Sequence, residues 1–347
     1  MIYYLMLPFR RIKTEILPVP SRTIALLFFV VLFLLPLMTQ DAYILYSIIF
    51  VCIFAIYAAS WDFLSGITGQ LSFGHAAFFG VAGYTSALLN LHFGWPVGAT
   101  VILGGLVGVL IGLIIGLPSL KLRGTYFTLA SLAFPVILMG VVYALAPITG
   151  GELGISGISS LTSSLQHSYY VVVTVLLASA LILWKIGADS KIGIVLSAIA
   201  QDEIAARASG INTTRYKLSA FCASGFVAGI SGGMYVHMLK VCGPSVLEIM
   251  LSFNAVIWTI FGGIGTIYGA IAGVFILYPL TELLHDFSQI RTLIYAVIII
   301  VILFFMPEGI AKKVRDIIEK ECPRCKERTA LTKTHCRICG AELHSKK

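Results

Sequence analysis

Residues 66–84 read GITGQLSFGHAAFFGVAGY: glycines and alanines, a glutamine, two hydroxyls and a histidine, set inside a chain that is otherwise apolar. Whether this stretch lines an active site or a membrane interior decides the fold. Of the 347 residues, 58% are hydrophobic and only 12% are charged, with a mean hydropathy of +0.95. A soluble domain carries about a quarter charged residues, because its surface must be solvated. This composition therefore describes an integral membrane protein, and the stretch at 66–84 lies among apolar runs of about 20 residues, each long enough to cross a bilayer. The runs are continuous rather than alternating, which selects helices over an outer-membrane barrel.

The expected fold is all-α, a polytopic bundle of about ten transmembrane or re-entrant helices. The predicted spans cover residues 24–38, 43–60, 71–90, 98–117, 125–146, 169–186, 218–238, 250–264, 268–285 and 292–306. With the N-terminus inside and ten crossings, all but two of the 24 basic residues, Lys240 and Arg291, fall on the cytoplasmic side. That asymmetry is the one that retained positive loops impose, so both termini are expected in the cytoplasm. The net charge of +8 is thereby explained by topology, and no nucleic-acid partner is implied. The expected domains are a basic lead at 1–23, a membrane body at 24–310 embedded in lipid, and a polar tail at 311–347.

Glycines recur at helical spacing at 104, 108, 112 and 116, and again at 265, 269 and 273, while Gly225 and Gly229 lead into Gly232 and Gly233. Lipid provides little hydrophobic drive between helices, so bare faces that permit close approach supply the packing; flexible hinges are the functional alternative. On a helix from Leu71 to Asn90, Ser72, His75 and Ser86 fall near one face, beside a small face of Ala76, Gly80, Gly83 and Ala87. Gln70, Ser72, His75 and Ser86 are the candidate lining of a translocation pathway, with a helix break at Thr68–Gln70. Other ionisable residues at membrane depth, Asp62, Glu152, His237, Glu248 and Glu282, are functional candidates or sit at span ends. No H-E-x-x-H, nucleophile elbow or paired carboxylates accompany them.

Two segments of the body do not span. Residues 147–168 lack Lys and Arg and are rich in turn formers, as expected of an external loop. Residues 187–217 are predicted to hold a cytoplasmic amphipathic helix, with Ile192, Val195, Ile199 and Ala206 on one face and Glu203 four residues before Arg207. Within it, Glu203, Ala205, Ala206 and Gly210 resemble the E-x-A-A-x-x-x-G coupling motif of permeases in ATP-binding-cassette importers. Together with SGITGQLSFGHAAFFGVAGYTSALL (65–89), GTYFTLASLAF (124–134), TGGELGI (149–155) and GGIGTIYGAIAG (262–273), it is similar to the LivM-type permease of branched-chain amino acid importers.

That resemblance implies a permease subunit in the plasma membrane of a prokaryote. It also implies partners: a second homologous permease subunit, two cytoplasmic ATPase subunits and an extracytoplasmic solute-binding protein that delivers the substrate. The chain has no G-x-x-x-x-G-K-[ST] loop, so ATP enters only through partners and the chain itself is not expected to be an enzyme. The match departs from the family at Ile194, Ser197 and Ala200, where arginines are usual, and at Ala270, where proline is common. A stand-alone channel or secondary transporter for a small polar solute is the competing reading, and an intramembrane enzyme a third.

The tail carries C-x2-C twice, Cys322 and Cys325, then Cys336 and Cys339. Four thiolates at this spacing form a tetrahedral site, and zinc is the metal expected on the reducing side of a membrane. Iron and paired disulfides are the alternatives. A zinc-ribbon-like tail is not part of the family pattern.

Overall fold

The computed structural model describes residues 20–119, 122, 124–188, 190–284 and 308–322, together with 293, 294, 296, 297, 300, 304, 324, 325, 328–330, 339, 341 and 342. The basic lead before residue 20 lies outside them. The architecture is all-α and polytopic, as expected. Helices α1 (Pro20–Met38), α2 (Ala42–Trp61), α3 (His75–Phe93), α4 (Val97–Ser119) and α5 (Thr125–Ala144) are followed by a single turn, α6 (Ala146–Thr149), and by α7 (Leu165–Ala188). Two short helices, α8 (Lys191–Gln201) and α9 (Glu203–Ala208), then lead into α10 (Thr213–Leu239), α11 (Ile249–Gly262), α12 (Ile267–Leu283) and the amphipathic α13 (Ile310–Ile318).

Helix α2 is the axis of the bundle. Every residue from Ile49 to Ser65 is buried, the pattern of a helix enclosed on all sides. Its last turns widen into a π-helical segment, Asp62–Ile67. Around it pack α7, α10, α11 and α12, and α3 meets it through Phe79 against Phe54 and Tyr57. The glycine ladders act in packing: α4 lies against α3 and α10 so closely that a Cβ on Gly104 would stand 2.7 Å from the Ala82 carbonyl, and one on Gly225 would stand 2.6 Å from that of Gly108. Gly269 and Gly273 let α12 fold back on α11, against Gly262 and Trp258.

Among the described residues, five helices are long and apolar enough to cross a membrane: α2 with its π-helical turn, α4, α5, α7 and α10. Helices α11 and α12 pass that test only together, bent by 108° at the break between them. Two of the predicted spans are thus one bent pair, and the predicted spans at 24–38 and 71–90 are the shorter α1 and the enclosed α3. The predicted span at 292–306 lies largely outside the described residues, although Leu293, Val297, Ile300 and Phe304 are exposed at the spacing of one helical face.

Contacts sort the connections onto two ends. At one end, Ser21 N at the start of α1 donates to Glu319 Oε1 (2.8 Å), and Arg315 Nη1 donates to the Tyr268 hydroxyl (3.0 Å). The tail strand β3 (Glu319–Glu321), paired antiparallel with β4 (Arg328–Ala330), and the α11–α12 break are therefore neighbours of α1. At the other end, β1 (Ile155–Ser156) pairs with β2 (Val241–Cys242). The segment expected to be an irregular loop thus contains α6 and β1.

Candidate functional site

The opening stretch does not begin a helix at Leu71. It runs unwound from Gly69 to Gly74, and α3 starts at His75. Backbone groups inside a membrane protein need partners, and side chains of three helices supply them here. Trp61 Nε1 donates to the Ser72 carbonyl (2.7 Å), Ser131 Oγ accepts from Phe73 N (2.9 Å), and Ser252 Oγ accepts from Ala76 N (2.9 Å). Side chains of α2, α5 and α11 thus pin the backbone of an unwound segment within 66–84. At the same depth Asp62, fully buried, accepts from Gly265 N (2.7 Å), joining the π-helical turn to the α11–α12 break.

The four pathway candidates separate. Ser72 is buried, its backbone held by α2. His75 is buried and its Nε2 lies 2.8 Å from Ser60 Oγ, which itself donates to the Tyr57 carbonyl; Nε2 is therefore the protonated nitrogen. Ser86 is about two turns from the far end of α3, where it meets Thr100 Oγ1 (3.0 Å) and His237 Nε2 (2.9 Å). His237 Nδ1 donates to the Ser159 carbonyl (2.8 Å), and Asn90 Oδ1 accepts from Ser159 N (2.9 Å), so this network straps the 150–164 segment onto α3 and α10. Gln70 lines a cavity beside α8–α9. Of the other ionisable candidates, His237 is buried, while Glu152, Glu248 and Glu282 are exposed.

The predicted amphipathic helix is two helices broken at Asp202, whose Oδ1 accepts from Ile204 N (2.8 Å) and Ala205 N (3.0 Å) and so caps α9. The buried face of α8 is Gly193, Leu196 and Ile199 rather than Ile192, Val195 and Ile199; Ile192 and Ile194 are exposed. Within the motif, Ala206 is buried against the body, while Ala205 and Gly210 face outward, and Gly210 has the left-handed φ of 82° that ends α9. Glu203 turns inward. Its Oε2 accepts from Lys217 Nζ (2.6 Å) on α10, and its Oε1 from Arg207 Nη2 (2.6 Å) and Thr213 Oγ1 (3.2 Å). Burial works to raise the pKa of Glu203, but the hydrogen bond and charge of Lys217, followed by those of Arg207, outweigh it and hold the carboxyl below its ordinary value of 4.5. Lys217 and Thr213 were missed as partners because they lie ten or more residues away, across the turn between α9 and α10.

In the tail, the sulfur atoms of Cys322, Cys325 and Cys339 lie within 4.8 Å of one another, with Cys322 buried. A tetrahedral zinc with Zn–S bonds of about 2.3 Å sets its sulfurs about 3.8 Å apart, and Cys322 and Cys339 are separated by 3.5 Å. The donor set fits a soft ion. The Cys325 backbone N–H, directed at the Cys322 sulfur, lowers that thiol's pKa and favours the thiolate that a metal binds. Cys336 lies outside the described residues.

A family model described as "Branched-chain amino acid transport system / permease component" matches residues 43–306. The high-affinity branched-chain amino acid transport system permease protein LivM of Salmonella typhimurium is 26% identical over 302 residues, covering 79% of this chain and 71% of that protein. LivM of Escherichia coli is 25% identical over 291 residues, covering 76% and 68%. A probable branched-chain amino acid transport permease protein LivH of Methanocaldococcus jannaschii is 27% identical over 189 residues, covering 51% and 58%. No solved structure matches the chain.

Proposed function

The chain belongs to the family of branched-chain amino acid transport system permease components, and from that premise we propose that it is one of two permease subunits of an ATP-driven importer in a prokaryotic plasma membrane. In this reading an external binding protein hands branched-chain or related amino acids to the end of the bundle where β1 pairs with β2. The opposite end, with both termini and α8–α9, faces the cytoplasm, and separate subunits there bind and hydrolyse ATP.

The observation that carries the reading is the two-sided build of α8–α9. Ala206, Leu196 and Ile199 seat the module on the body, while Ile204, 70% exposed, and Ala205 present a small, smooth outer face. A rigid module with one committed face and one free face suits a part that is pushed by a neighbour. Ala205 and Gly210 give that neighbour close approach, and Glu203 works inward, passing displacement of α9 to α10 through Lys217. Gln70, Ser72, His75 and Ser86 keep a pathway role here as a buried polar seam that runs from the unwound segment into α3.

The cysteine cluster, completed by Cys336, would hold zinc through Cys322, Cys325, Cys336 and Cys339. Bound zinc would supply a structural cross-link to a tail too small to build a core of its own. Glu319, just before the first knuckle, then anchors the ribbon to the start of α1.

Cysteine cross-linking tests the assignment. In membranes holding the whole assembly, Ile204→Cys should cross-link to the ATPase subunit and Leu196→Cys, fully buried here, should not. Equal cross-linking at both positions, or none at Ile204→Cys in an assembly that hydrolyses ATP, would refute it.

A further inference from the structure

The polar tail is tied to the membrane body at three points. Glu319, 6% exposed, caps the first turn of α1, where its Oε1 accepts from Ser21 N (2.8 Å), one of the amides that a helix start leaves without an internal partner. Arg315, its side chain 11% exposed, donates from Nη1 to the hydroxyl of Tyr268 (3.0 Å) in the first turn of α12. Gly309, just before α13, lies on the α11–α12 break itself: a Cβ there would stand 2.5 Å from Gly263 N. The break is in turn bonded to α2, through Gly265 N and Asp62 Oδ1.

These anchors run into the cysteine cluster without slack. Glu319 is the first residue of β3, Cys322 follows its last, and Cys322 and Cys325 belong to the segment that joins β3 to β4. A two-stranded hairpin is marginal in water by itself, so whatever closes that segment decides whether β3 stays formed. Metal held by the cysteines cross-links it, and thereby keeps the Glu319 carboxylate at the start of α1. Without metal, β3 frays and Glu319 leaves Ser21. Helix α13 then loses the anchor at its C-terminal end, and with nine residues, none of them fully buried, it is too short to hold its own shape.

We propose that the tail is a metal-responsive latch: metal on the four cysteines fixes α13 against the α11–α12 break and the start of α1, and loss of metal loosens both. The inference rests on the reading of Cys322, Cys325, Cys336 and Cys339 as a zinc site and goes beyond it. A ribbon that served only to fold itself would need neither a carboxylate buried at α1 nor a guanidinium on α12. Helices α11 and α12 bend by 108° at the break and both pack on α2, so the metal state of the tail sets how firmly that bend is held.

The test uses the full chain in lipid nanodiscs, without partners. Hydrogen exchange is read by mass spectrometry in the zinc-loaded protein, after a zinc chelator, and after zinc is added back. Chelation should quicken exchange at 263–270 and 20–25 at least about tenfold, the scale of losing one hydrogen bond to a charged group, while residues 49–61 of the enclosed α2 do not change. Added zinc should restore the slow exchange. Cys322→Ser should behave as the chelated protein does with no chelator present; if that variant does not fold, chelation of the unmodified chain decides. Arg315→Leu, which keeps the cysteines, should bind zinc as before yet exchange fast at 263–270 even when loaded, with little further change on chelation and a melting temperature that shows it folded. Zinc removal that alters exchange only within 319–342 would overturn the latch and leave zinc as a local cross-link. An Arg315→Leu protein that responds at 263–270 as the unmodified chain does would also overturn the latch. A chain that binds no zinc would overturn the latch and the zinc site together.

Discussion

Replacing Glu203 with Gln removes the charge that ties α9 to α10. Its side chain is 26% exposed, and those of its partners Lys217 and Arg207 are 12% and 44% exposed. The Arg207 pair, within α9 and open to water, contributes a few tenths of a kcal/mol. The Lys217 bond is nearly enclosed, and hydrogen bonds to charged groups contribute about 1.5–3 kcal/mol. Discounting for the solvent that still reaches Glu203, the substitution should loosen α9 by about 1–2 kcal/mol, a factor of roughly 5–30 in its opening equilibrium. Hydrogen exchange of the α9 amides should accelerate by that factor, while those of the enclosed α2 do not change. Reversing the pair, Glu203→Lys with Lys217→Glu, should recover part of the protection. The sign of the pH dependence follows from the depressed pKa. The contribution is fully present above the ordinary value of 4.5 and is lost as pH falls through the lower folded value, so α9 exchange should show no added acceleration between pH 8 and pH 5 beyond the intrinsic chemistry. Unchanged exchange in Glu203→Gln, or a charge reversal that restores nothing, would refute the strut.

Other parts of the structure make separate predictions. Gly225→Ala places a methyl 2.6 Å from the Gly108 carbonyl; it should cost about 1–3 kcal/mol as overpacking, seen as a lower melting temperature in detergent, and a neutral result would remove the close α4–α10 seam. Asn90→Leu breaks the bonds to Ser159 N and the Trp95 carbonyl and should destabilise that end by about 1–3 kcal/mol, read as faster limited proteolysis within 157–164. Purified protein should carry stoichiometric zinc by mass spectrometry, and Cys322→Ser should lose it; a metal-free tail with a folded ribbon would remove the zinc assignment.

What the sequence made legible depended on the range of each signal. Hydropathy runs and small-residue ladders are local: they showed an all-α membrane body and close helix packing, while the pairing of α4 with α10 emerges only in the fold. The E-x-A-A-x-x-x-G string was found, but its sidedness was not. A single helical wheel drawn from Ile192 to Ala206 put Ile199 and Ala206 inward correctly but also Ile192 and Val195, where Gly193 and Leu196 are the buried residues, and it missed the break at Asp202. The unwinding at 69–74 was half legible: Thr68–Gln70 signalled a break, but its extension through Gly74 depends on Trp61, Ser131 and Ser252, which only the fold brings together. The partners that bond His75 and Ser86 into the scaffold were hidden for the same reason, since Ser60 and His237 are respectively 15 and 151 residues distant. The bent pair at 249–283 read as two spans because apolarity carries no information on the angle at Gly263–Thr266.

The central claim is that this chain conducts amino acids only when partners hydrolyse ATP. Proteoliposomes holding the chain, its partner permease and the ATPases, with the binding protein and labelled leucine outside, measure it directly. Uptake should require hydrolysable ATP within, cease with a non-hydrolysable analogue, and be absent with this chain alone. Leucine uptake by this chain alone, driven by an ion or solute gradient and indifferent to ATP, would contradict the account.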